Sequence, residues 1–342
     1  MVVSSPSAVE ECLTTNDIVF ANRPPLTMAK YVAYNCTTIG TVSYGNHWRN
    51  LRRISTLEIF SSNRLNVFTG IRRDEIKIFL NKLYSVSSHD FDKVELKPML
   101  MELTFNIIMR MVAGKRYYGE EETGKNKAEA KEFREMIAEE MLFAGTESSA
   151  VTLEWAMSNL LNHPQVLEKA RNELELNVGE ETFMNESDLS KLPYLQNIIS
   201  ETLRLYPAGP LLTPHLSSQE CSVGGYHVQP NTVLLVNAWA IHRDPELWDD
   251  AVVFKPERFE CTPGNKFLPF GLGRRSCPGT GLANRVVGFA LGSMIHGFEW
   301  KRASDEEIDM SEGVGLTMPK AKSLEAMCKA RNIMKKVLSS PL

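Results

Sequence analysis

Apolar residues at helical spacing dominate the first half of the chain. Within Asp74–Tyr84 they recur on one face of a predicted helix, at Ile76, Phe79, Leu80 and Leu83. The more apolar Leu96–Val112 segment predicts a second helix, which Gly114 ends. A third helix begins near Pro164 and runs through Val166, Leu167, Ala170, Leu174 and Leu176. A fourth follows Pro193 and ends before Pro207.

Signals for β-strands are short and come later in the sequence. Gly224 and Gly225 separate two short apolar stretches, which predicts a tight hairpin. A further strand is expected over Thr232–Val236. The long segment His242–Gly281 has little periodicity, and irregular segments of this length inside a folded protein are usually functional.

Residues 125–163 contain no proline and form one uninterrupted helical pattern. A single helix of that length would extend about 58 Å, which is beyond the usual globular range. Its halves also differ, because Glu129–Glu140 is highly charged whereas Met141–Ala150 is mostly small and apolar. The sequence therefore indicates two helices of different burial joined directly near residues 137–141.

Composition narrows the class of protein. Of the 342 residues, 43% are hydrophobic and 23% charged, which is typical of a globular chain and excludes a disordered or fibrous one. Net charge is −4 without a basic block, so nucleic acid is not an expected partner. The first residues show no secretory signal and no run is long enough to span a membrane, so we expect neither export nor a membrane anchor.

The strongest chemical signal is the glycine-rich segment Pro269–Gly281, which precedes a helical pattern from Leu282 onward. Cys277 lies in it beside two arginines, and the start of a helix and positive charge both stabilise a thiolate. Such a thiolate can be a nucleophile or a metal ligand. The alternatives are a buried structural cysteine and a dinucleotide-binding loop, but the latter lacks its third glycine and a surrounding βαβ unit.

Four motifs together resemble those of the cytochrome P-450 family. Phe270-x-x-Gly-x-Arg-x-Cys-x-Gly279 resembles its haem-binding loop, and Glu201-Thr-Leu-Arg204 its E-x-x-R helix. Phe254–Phe259 resembles the P-E-R-F segment, and Ala144–Ser149 the oxygen-binding stretch of the central helix. The motifs occur in the family's order. The resemblance implies one mainly α domain over residues 1–342 with a small β component, and haem b as the cofactor.

The resemblance also assigns roles on the distal side of the haem. Ala144 and Gly145 would leave space for dioxygen and substrate, and Glu147 and Ser148 would deliver protons. The family usually has threonine where Ser148 stands, and serine is less restricted in rotation. Ser149 is expected to be structural.

On the other side, the resemblance makes Cys277 the axial ligand of the haem iron. Residues of the cysteine loop and its surroundings would hold the cofactor and its propionates, namely Trp48, Arg52, His215, Phe270, Gly271, Arg275, Cys277 and Gly279. An indole N–H and a guanidinium one helical turn apart suit carboxylate recognition. The neighbouring Arg49 and Arg53 are expected to be solvated or to contact a reductase.

Glu201 and Arg204 are three residues apart, so they share one helix face. An isolated pair of this kind is usually a solvated ion pair worth at most about 0.5 kcal/mol. In the family context they form, with Arg258, a buried structural triad that supports the cysteine loop.

The expected activity is hydroxylation of a small, planar, apolar plant metabolite such as an isoflavonoid or flavonoid. Electrons would come from NADPH through NADPH–cytochrome P-450 reductase, because the chain has no flavin or nicotinamide motif. Family members lie at the cytosolic face of the endoplasmic reticulum membrane, whereas this chain shows no anchor and is expected to be cytosolic or peripheral. It resembles a member lacking its first β segment and part of the roof helices, so the alternative is a non-catalytic remnant that binds haem weakly or not at all.

Overall fold

The apolar stripes of the sequence become the buried faces of helices. The computed structural model describes residues 1–118, 145–179 and 182–335. The α-helices in these ranges are α1 (Pro6–Glu10), α2 (Thr27–Val32), α3 (Asn46–Ile54), α4 (Ser62–Val67), α5 (Thr69–Ser87), α6 (Leu96–Ala113), α7 (Glu147–Asn162), α8 (Pro164–Asn177), α9 (Pro193–Leu205), α10 (Ala238–His242) and α11 (Thr280–Gly297). Short π- or 3₁₀-helical turns cover Glu11–Thr15, Val19–Ala21, Ser55–Ile59, Glu186–Lys191, Pro256–Glu260 and Gly264–Lys266.

The strands are short and form three small sheets. They are β1 (Val2–Val3), β2 (Asp92–Glu95), β3 (His215–Leu216), β4 (Cys221–Val223), β5 (Tyr226–Val228), β6 (Val233–Val236), β7 (Phe298–Arg302) and β8 (Glu325–Ala330). The sheet orders are β1-β6-β3, β2-β8-β7 and β4-β5. The prediction of a mainly α fold with a small β component is confirmed.

The four helices predicted first are present. All four apolar residues selected in α5 are buried, and α6 ends at Gly114, whose φ of +69° satisfies a left-handed C-terminal cap. Helix α8 buries Val166, Leu167, Ala170 and Leu174. Leu176 belongs to the same helix but lies on its other side. It is 85% exposed, because two residues beyond Leu174 is about 200° around a helix.

The second of the two helices predicted within residues 125–163 is present from Glu147 onward. Helix α7 begins only at Glu147, after a turn at Gly145 and Thr146. Glycine has low helix propensity, which is consistent with a boundary at this position. Residues 119–144, including the predicted junction at 137–141 and Ala144, lie outside the described residues.

The first of two compact units comprises Met1–Leu65, Leu203–Val253 and Cys261–Gly281. Its apolar cluster joins the first helices to the hairpin β4–β5 and strand β6 through residues such as Leu13, Phe20, Val228 and Leu234. The hairpin turn uses Gly224 and Gly225, with φ of +57° and +82°, as the sequence predicted. Strand β6 pairs with β1 in parallel and with β3 antiparallel.

The second unit comprises Asn66–Thr202, Phe254–Glu260 and Leu282–Leu342. Its sheet places β8 between β2 and β7, antiparallel to both, with Trp300 opposite Cys328. Strand β7 alternates buried Phe298 and Trp300 with exposed or half-buried charged residues. No strand was predicted from this period-two pattern, because the long helical pattern of α11 directly precedes it.

Among the residues whose placement is described, no helix is both long and apolar enough to cross a membrane.

Candidate functional site

The loop before α11 is shaped by two glycines that adopt left-handed backbone conformations. Gly271 has φ +70° and Gly273 has φ +71°. A Cβ at Gly273 would overlap the carbonyl oxygen of Leu13 and lie 2.8 Å from Asp17 Oδ1, so only glycine fits. The Cys277 N–H donates to the Phe270 carbonyl at 2.9 Å, which closes the loop. The glycines and this hydrogen bond therefore hold the cysteine in a defined position.

The thiol of Cys277 is exposed, so this residue is not a buried structural cysteine. By contrast, burial raises the pKa of Cys12 and of Cys328 to about 12. Thr280, the first residue of α11, donates its hydroxyl to the Cys277 carbonyl at 3.0 Å. A Cβ at Gly279 would lie 3.7 Å from the Cys277 sulfur, so glycine keeps the space beside the thiol free. An accessible thiol in such surroundings is able to ligate a metal ion.

The side chain of Arg275 bonds backbone groups of the first unit. Its guanidinium donates to the carbonyls of Ala21, Ile39 and Val42 at 2.7, 3.2 and 2.6 Å. It lies 4.5 Å from the centroid of the Trp48 ring. Burial, and secondarily the charge of Arg52, lowers the pKa of Arg275 to about 10.

Helix α3 supplies the next two selected residues. Trp48 is buried and Arg52 is half-buried one turn later, so both lie on one face of the helix. Arg52 Nη1 donates to the Ser276 carbonyl at 2.7 Å, immediately before Cys277. Burial lowers the pKa of Arg52, whereas the neighbouring Cys277 acts in the opposite direction. Arg49 and Arg53 are exposed on the same helix.

His215, on β3, is buried and lies 2.7 Å from the Phe20 carbonyl through Nδ1. Burial, followed by the charge of Arg23, lowers its pKa to about 3, so the imidazole is neutral. Nδ1 then carries the proton that bonds the carbonyl, and Nε2 can accept a hydrogen bond from another donor.

Arg23 was not selected from the sequence, although it belongs to the same cluster. Its guanidinium donates to the carbonyls of Gly40, Thr213 and Pro214 at 3.1, 3.0 and 2.7 Å. Burial, and secondarily the charge of Arg275, lowers its pKa to about 9.

These residues create a cationic cluster, which we define as Arg23, Arg52 and Arg275. Within the described part of the chain, none of the three forms an ion pair with a carboxylate, and their hydrogen bonds go to backbone carbonyls. Their charges oppose one another, because Arg275 lowers the pKa of Arg23 and Arg52 that of Arg275. An exposed thiol near uncompensated cations fits a group that combines a metal ion with carboxylates, and haem is such a group.

The residues assigned to oxygen chemistry belong to the second unit. Glu147 and Ser148 begin α7, and the Ser148 carbonyl accepts the Thr152 hydroxyl at 2.8 Å. A Cβ at Gly145 would lie 3.7 Å from Ile108 of α6, which is an ordinary contact distance, so there is space for a small side chain at this position. Ser149 is buried.

Glu201 and Arg258 form a buried ion pair. Glu201 Oε1 accepts from Arg258 Nε at 2.9 Å and from the Lys255 N–H at 2.8 Å. Arg204, also fully buried on α9, donates to the carbonyls of His242 and Ala251 at 2.5 and 2.6 Å. The Glu201–Arg258 ion pair is therefore shielded from solvent. Arg204 anchors the backbone of the segment that follows α10.

Comparison with known proteins places this chain in a family. The model of the family described as "Cytochrome P450" matches residues 1–139 and 120–325. A Catharanthus roseus protein described as "Cytochrome P450 81Q32" is 48% identical over 423 residues, which cover 99% of this chain and 84% of that protein. A Medicago truncatula "Isoflavone 3'-hydroxylase" is 45% identical over 418 residues, covering 96% and 83%.

Solved structures agree with this assignment. A zebra fish cytochrome P-450 solved with abiraterone has a TM-score of 0.83 and 26% identity, covering 97% of this chain and 93% of that chain. The chain therefore belongs to the cytochrome P-450 family of haem-dependent monooxygenases, which are oxidoreductases. These similarities do not favour the alternative of a non-catalytic remnant.

Both plant alignments are longer than the chain of 342 residues, so the relatives carry residues that this chain lacks within the aligned region. The two family-model matches overlap at residues 120–139. The predicted internal shortening is thus confirmed, while the position of its junction near residues 137–141 stays a prediction.

Proposed function

We propose that this protein is a haem-thiolate monooxygenase that hydroxylates a small, planar, apolar plant metabolite of the isoflavonoid or flavonoid class. The observation that carries the cofactor assignment is the exposed Cys277 beside the cationic cluster, whose three arginines have no carboxylate partner among the described residues. The substrate class is supported by similarity to a protein named isoflavone 3'-hydroxylase.

The chain would hold haem through the residues of the first unit. Cys277 would ligate the iron as a thiolate, while the cationic cluster and the Trp48 N–H would bind the propionates. His215, whose neutral imidazole offers only an acceptor at Nε2, would line the same site. Gly279 leaves the space beside the sulfur free, and Gly271 allows the left-handed turn of the loop. When bound in this way, haem supplies the activation of dioxygen for insertion of one oxygen atom into the substrate.

Proton delivery is assigned to two side chains of α7. The Glu147 carboxyl would exchange protons with solvent, and the Ser148 hydroxyl would pass them on for oxygen chemistry when haem is bound. By the family resemblance, Ala144 and Gly145 would leave space for dioxygen and substrate. Substrate contacts are assigned to the apolar segments Pro24–Tyr31, Ala208–Thr213 and Gly313–Thr317.

NADPH–cytochrome P-450 reductase is the proposed electron donor, with exposed Arg49 and Arg53 as contacts for an acidic partner surface. We place the protein at the cytosolic face of the endoplasmic reticulum membrane, by analogy with its family.

The first test is the absorption spectrum of the reduced protein with carbon monoxide. Thiolate ligation gives a red-shifted Soret band, which we expect for the wild-type protein and not for Cys277→Ala. Cys261→Ala is the matched control, because Cys261 is also exposed but lies outside the loop. A red-shifted band in Cys277→Ala would contradict the ligand assignment.

The substrate class is tested separately by difference spectra. Isoflavones and flavones are expected to shift the Soret band on binding, and purified reductase with NADPH should yield the hydroxylated product. A spectral shift with fatty acids but with no flavonoid would contradict the substrate class while leaving the haem assignment intact.

A further inference from the structure

His242, the last residue of α10, connects two backbone segments of the first unit through its imidazole. The side chain is fully buried. Its Nδ1 lies 3.2 Å from the carbonyl oxygen of Arg204, and its Nε2 lies 2.9 Å from the backbone nitrogen of Leu268. Because the Leu268 N–H is a donor, Nε2 is the acceptor and Nδ1 carries the proton. Both imidazole nitrogens are therefore used in one neutral tautomer.

The Leu268 end of this bridge leads directly into the cysteine loop. The Leu268 carbonyl accepts the N–H of Gly271 at 3.1 Å. Two residues beyond Leu268, the Phe270 carbonyl accepts the N–H of Cys277 at 2.9 Å. The His242 ring also lies 5.6 Å from the ring of Phe267, centroid to centroid. The His242 side chain thus fixes the segment that contains Phe270, whose carbonyl accepts the Cys277 N–H.

The Arg204 end of the bridge is rigid. Arg204 Nη1 donates to the His242 carbonyl at 2.5 Å, so the two residues bond to each other in both directions. The neighbouring turn is held by Trp248, whose indole N–H donates to the Ile241 carbonyl at 3.0 Å. The imidazole consequently projects from a fixed backbone.

Burial and the neighbouring positive charges keep the His242 imidazole neutral. Burial lowers its pKa to about 3, and the positive charges of Arg204 and Arg243 act in the same direction, while the bond to the Arg204 carbonyl opposes them. The acceptor nitrogen that Leu268 needs is therefore available throughout the neutral pH range.

We propose that His242 is a positioning residue that holds the cysteine loop in the conformation in which the Cys277 thiolate stays bound to haem iron. This inference rests on the proposed haem-thiolate function. Without the imidazole, the buried N–H of Leu268 loses its acceptor. The loop then lowers its free energy by moving until this N–H meets another hydrogen-bond acceptor. The thiolate is then displaced or protonated, although haem itself remains held by the propionate contacts.

Three substitutions separate this role from general stability. His242→Leu removes both hydrogen bonds. The amide of Gln reaches the position of Nε2, whereas the shorter amide of Asn reaches only that of Nδ1, so His242→Gln retains the Leu268 contact and His242→Asn does not. His296→Leu is the matched control, because His296 is also fully buried but bonds Gly179 in the second unit.

The readout is the fraction of bound haem that shows the red-shifted band with carbon monoxide, measured on folded holoprotein of equal haem content. We expect His242→Leu and His242→Asn to reduce this fraction at least about five-fold, because a buried donor is left unsatisfied. His242→Gln should stay close to wild type. His296→Leu should lower the unfolding temperature without changing the fraction.

Absence of the red-shifted band from the wild-type protein would contradict the proposed function itself. Presence of the band at equal fractions in wild type and folded His242→Leu would contradict only the role of His242. If His242→Leu does not fold, the Gln and Asn variants decide, and equal fractions in these two would overturn the inference.

Discussion

The guanidinium carbon of Arg275 lies 4.5 Å from the ring centroid of Trp48, so the cation lies over an aromatic ring that is itself buried in the first unit. Three backbone carbonyls accept its N–H groups. The ring and the carbonyls together fix the plane of the guanidinium, whose positive charge has no carboxylate partner among the described residues.

Replacement of Arg275 by lysine should therefore weaken haem retention although the positive charge is kept. We expect Arg275→Lys to raise the rate of haem loss at least about ten-fold, since an ammonium cannot bond three separate carbonyls and stack on the ring. The measurement is haem transfer to excess apomyoglobin. Arg274→Lys is the control, because Arg274 is exposed and pairs with Asp17. Equal rates for the two variants would contradict the role of Arg275.

Gly273→Ala should destabilise the protein much more than Gly271→Ala. Both residues have φ near +70°, which costs an L-residue about 1 kcal/mol. A Cβ at Gly273 additionally overlaps the Leu13 carbonyl, whereas at Gly271 the nearest atom is 3.8 Å away. We expect the free energy of unfolding to differ by at least about 2 kcal/mol between the variants. Urea unfolding measures it, and equal losses would count against the close approach to Leu13.

Glu201→Gln should cost about 3–5 kcal/mol of unfolding free energy, because it removes the charge that pairs with buried Arg258 at 2.9 Å. The matched control is Glu257→Gln in the same unit, whose ion pair with Lys169 is largely exposed and is worth less than about 1 kcal/mol. Urea unfolding of both variants provides the comparison. A loss for Glu201→Gln as small as that of the control would indicate that the buried pair is dispensable.

Ser148→Ala should leave the spectrum with carbon monoxide unchanged while diverting NADPH electrons to hydrogen peroxide. The variant retains the Ser148 carbonyl that accepts the Thr152 hydroxyl, so α7 is preserved, but it loses the proton donor. The ratio of product to NADPH consumed measures the effect. Ser149→Ala serves as the control, since Ser149 is buried and is assigned a structural role. Undiminished coupling in Ser148→Ala would rule out proton delivery by this hydroxyl.

Stability should decrease with acid in a way that depends on His242. Its pKa is about 3 in the folded protein against an ordinary value of 6.5. Between these values the unfolded chain binds a proton that the folded protein excludes, so this stabilising contribution is complete above pH 6.5 and is lost as the pH falls toward 3.

The His242 imidazole is expected to contribute at most about 1.4 kcal/mol per pH unit to the slope of the free energy of unfolding against pH. His242→Gln cannot titrate there, so its free energy of unfolding should fall less steeply than that of wild type between about pH 6 and about pH 5. Urea unfolding of the reversible, folded fraction measures both slopes. Parallel slopes would show that the His242 imidazole becomes protonated without unfolding.

Features that depend on neighbouring residues along the chain were predictable from the sequence. The stripe of Ile76, Phe79, Leu80 and Leu83 on α5, the left-handed end of α6 at Gly114 and the β4–β5 turn follow from local periodicity and from the conformational freedom of glycine. The cysteine loop was recognisable for the same reason, because its glycines and Cys277 lie within one short segment.

Contacts between distant segments required the folded chain. Arg23 bonds the carbonyl of Pro214, and His242 bonds the N–H of Leu268, although no spacing in the sequence links either pair. Backbone carbonyls and amides are present at every position, so a sequence shows which side chains need partners but not which backbone groups will meet them. The cationic cluster and the bridge to the cysteine loop exist because folding brings these backbone groups beside side chains that are buried and must be satisfied.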